Sequence, residues 1–166
     1  MTYAGRPQRC PESSLFHRPG DESPSRAIIA AMITKLAHVS ILVRDLDEAL
    51  DWYTNVLGLE KREDNSSVVP GFRWLTVAPK GQSEPEIVLF LPGPFQAEED
   101  RKILLSRVGE GTMWMFHTDD CNAEYERPSG LGVKFHQTPE TVPWGVQAVF
   151  EDLYGNQFGI LEPALP

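Results

Sequence analysis

The sequence has only two cysteines among its 166 residues, Cys10 and Cys121, and neither belongs to a C-x-x-C pair. That excludes a disulfide framework and a cysteine-based metal site, and leaves reduced thiols in a cytoplasm as the expected state. Long apolar runs are missing as well. The longest near the start, residues 27–33, has seven residues, against the ~18 or more that a membrane span needs, and the flanks of a secretory signal are absent. Basic clusters are also lacking. The net charge is −9, and residues 1–31 carry +1 of it, so the body holds −10. Nucleic acid is a poor partner for such a chain, because binding requires a cationic surface that displaces phosphate counterions. No G-x-S-x-G, Walker-type or G-x-G-x-x-G segment occurs, which removes nucleophile-elbow hydrolases and nucleotide binders.

What is present is an ordinary globular composition, 41% apolar with four Trp and eight Phe, in a length suited to one domain. Residues 1–31 hold four prolines and no periodicity, and read as a disordered extension that folding does not require. Met32 lies just ahead of the first strand-like segment and is an alternative start. Residues 36–43, LAHVSILV, read as a buried strand. Asp45 with Glu48 resembles a capping box, Ala49, Leu50, Trp52, Tyr53, Val56 and Leu57 mark one helical face, and Gly58 is the expected stop. Strands are expected at 59–64, 72–78 and 86–91. The order then recurs: a strand at 112–118, a helix capped by Asp119 or Asp120, and strands at 133–137, 146–151 and 157–161. Pro128 should end the second helix near Arg127. His38 to Asp45 and Met113 to Asp120 are both seven residues apart, as a duplication would give. The expected architecture is α+β: tandem βαβββ units forming a curled, eight-stranded mixed sheet around a cleft with helices outside. The units span 33–92 and 111–163 within a domain of 32–166, joined by a linker at 93–110 with a short helix near 98–108.

The opening HVSILVRDLDEALDWYTNVLGL and the closing EDLYGNQFGILEP resemble the vicinal oxygen chelate superfamily, which includes glyoxalase I, extradiol dioxygenases, fosfomycin-resistance thiol transferases and bleomycin-binding proteins. The resemblance covers about 33–163. It implies a cleft between paired units, and divalent-metal ligands at positions that fall on His38, Val88, Met113 and Gly159. Only His38 is a plausible ligand there. Zn²⁺ and similar ions need three or four N/O donors, and a thioether suits Cu(I) better, so no metal and no other cofactor is expected.

His38 is the candidate catalytic residue, as a general base or a hydrogen-bonding group, and a satisfied core histidine is the competing reading. Strand alternation puts Glu86 on the face of Val88 and His117 on the face of Met113. They lie ~7 or ~13 Å along their strands, so a metal site from His38, Glu86 and His117 would need a bulge or register shift. Trp74, Met113, Met115 and Trp144 complete the expected ligand-binding set, with Trp144 either a lid or a corner, because aromatic and thioether side chains make an adaptable apolar lining. His136 reads as a rim histidine and His17 as part of the extension. Cys121, at a helix start, reads as inert packing.

Three functions compete on this evidence. A metal-independent protein would sequester a small organic compound, cationic if the acidic body sets the preference. A lyase, isomerase or dioxygenase would use His38 with a shifted ligand set. A non-catalytic domain would bind a macromolecular partner. A homodimer is expected, since exposed strand edges are a liability unless paired or covered.

Overall fold

The computed structural model describes residues 35–164 except 68 and 112, so expectations about residues 1–31 lie outside the described residues. The eight strands appear in the repeated order, as two four-stranded mixed sheets. In the first half, β1 (His38–Leu42), α1 (Leu46–Asp51), β2 (Glu60–Asn65), β3 (Trp74–Ala78) and β4 (Glu86–Phe90) give the sheet order β1-β4-β3-β2. After α2 (Glu98–Ser106), the second half supplies β5 (Trp114–His117), α3 (Cys121–Gly130), β6 (Phe135–Val142), β7 (Gly145–Glu151) and β8 (Gln157–Pro163), ordered β5-β8-β7-β6. In both sheets the first strand runs parallel to the last of its unit.

Local chemistry sets the helix boundaries. The Asp45 carboxylate accepts from Asp47 N and Glu48 N, each at 2.9 Å, satisfying amides that the first turn cannot pair. The helix continues as a wide π-type turn, Trp52–Val56, and stops at Gly58, whose φ of +83° favours glycine. Asp120 caps α3 in the same way, accepting from Ala123 N at 2.9 Å. Pro128 does not end α3 at Arg127; the helix runs on to Gly130 with Pro128 inside it. A proline forfeits one amide, and here it sits in the last turn, where its own carbonyl accepts from Leu131 N and Val133 N at 3.0 Å each. β6 also outruns its expected end, carrying Pro139 to Val142. It lies at a sheet edge, where a missing amide costs no ladder bond.

The core lies on one face of each sheet and is shared by both halves. Ile41, Val43, Leu75, Val77, Ile87 and Leu89 pack with Ala49 and Tyr53 of the first helix, and with Phe150, Phe158 and Ile160 of the second half. Tyr53 is fully buried and its ring meets that of Phe158 edge-on, with centroids 6.4 Å apart. Its hydroxyl donates to Asp152 Oδ2 at 2.5 Å. Asp152 also accepts from Asn156 Nδ2, Asn156 N and Tyr154 N, each at 2.8 Å, so the buried carboxylate is fully satisfied. Burial, with Asp152 beside it, pushes the Tyr53 phenol well above its ordinary value. Tyr154 adds a second tie between the halves, accepting from Asp45 N at 3.2 Å and donating to Glu48 at 2.9 Å.

Candidate functional site

Because side chains alternate along a strand, the faces opposite the core carry the expected site residues. β1 is an edge strand, not a buried one, with His38 and Ser40 exposed. On this first open face His38 pairs in register with Glu86, and Ser40 with Val88. No bulge is needed to bring Glu86 beside His38, which corrects the sequence expectation. Alternation fixes which face a residue takes, whereas a two-residue slide of a parallel pair leaves the face unchanged and is invisible to a repeat alignment. The Glu86 carboxylate accepts from Thr76 Oγ1 at 2.7 Å. The His38 ring stands edge-on to Trp74, with centroids 5.3 Å apart. Trp74 neighbours Phe72 at 6.5 Å, and Phe72 meets Phe95 at 5.2 Å. A row of four rings therefore runs along this face and ends in Phe95, which is 61% exposed.

The second open face carries Met113, Met115 and His117, while Trp114 and Phe116 turn inward to Phe158. Met113 lies just before β5 and is 52% exposed; Met115 is 40% exposed. Met115 pairs with Gly159, and a Cβ on Gly159 would sit 2.5 Å from the Met115 sulfur. The thioether thus fills the space that a ligating side chain at 159 would take. Trp144 stands in the two-residue turn between β6 and β7 and donates from Nε1 to Gln147 Oε1 at 3.1 Å. His136 Nε2 is 2.7 Å from Glu151, which also takes Lys134 Nζ at 3.0 Å. These contacts hold the Glu151 carboxyl below its usual range, Lys134 more than His136. Cys121 is buried, and burial with Glu162 and Asp120 nearby raises its thiol, in keeping with an inert packing residue.

A cavity of about 710 Å³ opens between the halves. One wall is Leu57, Gly58, Leu59 and the turn from Pro79 to Gln82; the other is Met115–Thr118 with Glu124 and Arg127 of α3. Of the expected site residues this cavity gathers Met115 and His117. His38, Trp74, Glu86 and Val88 share the first open face, and Trp144 lies apart from both groups. Phe72 was legible as part of an expected strand two residues from Trp74. Phe95 and Lys80 carried no signal, since loops bring them to their places.

The four family positions do not fit a resident divalent ion. They offer one imidazole, one thioether and two residues with no donor, and Met115 occupies the space over Gly159. Among the described residues no three His, Cys, Asp or Glu side chains are gathered closely enough to hold one.

Two βαβββ units with open faces opposite a shared core define a class, and residues 35–160 match the family model described as the glyoxalase/bleomycin resistance protein/dioxygenase superfamily. The chain belongs to that superfamily. It is similar to the crystal structure of UcmS2, with 37% identity, TM-score 0.70, and coverage of 79% of this chain and 99% of that one. It is also similar to TnmS3, an antibiotic binding protein from Streptomyces sp. CB03234, with 31% identity, TM-score 0.65, and coverage of 80% and 98%. The protein YurT of Bacillus subtilis is 37% identical over 131 residues, 77% of this chain and 98% of its own. Among the described residues no helix is long and apolar enough to cross a membrane.

Proposed function

We propose that this protein binds a small, planar, largely apolar organic molecule without a divalent metal, in a cleft completed by a second copy of the chain. The ring row His38–Trp74–Phe72–Phe95 carries the reading, because edge-on and tilted rings offer faces and edges against which a planar ligand can pack. Exposed Met113 and Met115 on the other sheet support it. Val88 and Thr76 are buried, but Phe95, Met113 and Met115 are exposed in one copy, and exposed apolar side chains gathered on a face mark interaction sites; a second copy would set one face against the other. The likeness to TnmS3 points the same way. A second reading is favoured by the His38–Glu86 pairing, which would supply half of a shifted metal set to a lyase or dioxygenase if His117 of the second copy joined it.

Light scattering should give twice the 18.6 kDa chain mass. Calorimetry with 2-naphthalenemethanol should show binding that a chelator leaves intact and that Trp74→Ala weakens at least tenfold. A single-chain mass across micromolar concentrations, or binding indifferent to Trp74, would overturn the proposal. Stoichiometric metal lost on Glu86→Gln would establish the second reading.

A further inference from the structure

The cavity between the halves has a charge pattern that the ring row does not explain. Lys80, at its rim, has no hydrogen-bond or ion-pair partner among the described residues, and neither has His117. The acid in the lining, Glu124, is already matched: Arg127 donates to it at 2.8 Å while also reaching Val56 O at 2.6 Å and Leu57 O at 3.1 Å. Arg127 is thus occupied with the carbonyls that end the first helix, and Lys80 is the uncompensated charge of the lining. In a chain of net charge −9, an unmatched ammonium over a cavity is a local reversal of sign.

The turn that carries Lys80 is held in place. Gln82 N donates to Pro79 O at 3.1 Å, Arg62 Nη2 donates to Gln82 O at 2.6 Å, and Gln82 Nε2 donates to Pro85 O at 2.6 Å. A braced turn fixes where the Lys80 side chain leaves the backbone, so only that side chain remains to be ordered on binding. Below it the walls are apolar: Leu57, Leu59, Met115, Phe116 and Ile160. At about 710 Å³ the space lies within the roughly 300–1,000 Å³ typical of small-molecule sites.

We propose that this cavity binds an organic anion, an aromatic or aliphatic carboxylate whose apolar body fills the space between the halves while its charged end meets Lys80 and His117. An ammonium donating to a carboxylate forms a charge-assisted bond, stronger than a neutral one. The cavity lies within one chain and holds none of the ring row, although Met115 and His117 belong both to its lining and to the second open face.

Calorimetry of the full chain with 2-naphthoate tests it, with 2-naphthalenemethanol as the uncharged counterpart. The naphthoate should bind in the wild type and in Trp74→Ala alike, and weaken at least tenfold in Lys80→Met, whose exposed position leaves the melting temperature unchanged. The alcohol should bind Lys80→Met as it binds the wild type. Inorganic phosphate, which lacks the apolar body, should bind at least tenfold more weakly than naphthoate. Naphthoate affinity unchanged in Lys80→Met, or lost in Trp74→Ala, would overturn the assignment, as would no binding at millimolar ligand. Failure of the cleft proposal alone would appear as absent alcohol binding with naphthoate binding retained.

Discussion

Arg73 joins two elements through one guanidinium. Its Nε meets Asp64 Oδ1 at 2.7 Å, its Nη2 meets Asp64 Oδ2 at 2.9 Å, and its Nη1 meets Asp47 at 2.6 Å. Hydrogen bonding from Arg73 draws the Asp64 carboxyl down to about 2, below the roughly 3.9 of an unfolded aspartate. A depressed folded value stabilises above the unfolded value, and the contribution is lost as pH falls through about 2. Arg73→Met should therefore destabilise by about 1 kcal/mol or less near neutrality, as for a well-formed surface pair, and by less at pH 2. Urea unfolding at pH 6, 3 and 2 reads this directly; a difference that grows toward acid would contradict it. At the same scale, the sheet faces of His38, Trp74 and Met115 were legible because alternation assigns each residue a face. Lys80 and Phe95 were not, because their places depend on where loops return.

Elements were more legible than their pairing. The seven-residue spacings from His38 to Asp45 and from Met113 to Asp120 reported a repeated strand and cap, and both aspartates do cap helices. The lateral slide of β1 against β4 was hidden, since no turn connects a parallel pair and so nothing local fixes its register. Between β5 and β8 the pairing of Met115 with Gly159 has a measurable consequence. Gly159→Ala would place a methyl 2.5 Å from the Met115 sulfur, but that sulfur is the flexible end of a 40% exposed side chain that can turn aside, so the cost should be about 1 kcal/mol or less, below that of overpacking a closed core. Met115→Ala should remove most of that cost, so a double-mutant cycle by denaturant unfolding should show coupling of about 0.5 kcal/mol. Additive effects would mean that the thioether does not occupy that space.

For the molecule as a whole, the motif pattern pointed to the superfamily that residues 35–160 match. The shared core was beyond sequence reasoning, because a repeat can pack its halves against each other or keep them separate with the same local pattern. Tyr53 settles this: it leaves the first half to lie against Phe158 and bond Asp152 in the second. The two halves are therefore complementary fragments of one folding unit rather than two beads on a string. A protease site placed between residues 93 and 97 should yield a nicked protein whose pieces co-elute on size exclusion and part only in denaturant. Each piece expressed alone should aggregate, and the two co-expressed from separate messages should reassemble. Pieces that elute separately without denaturant would show that each half folds without the other.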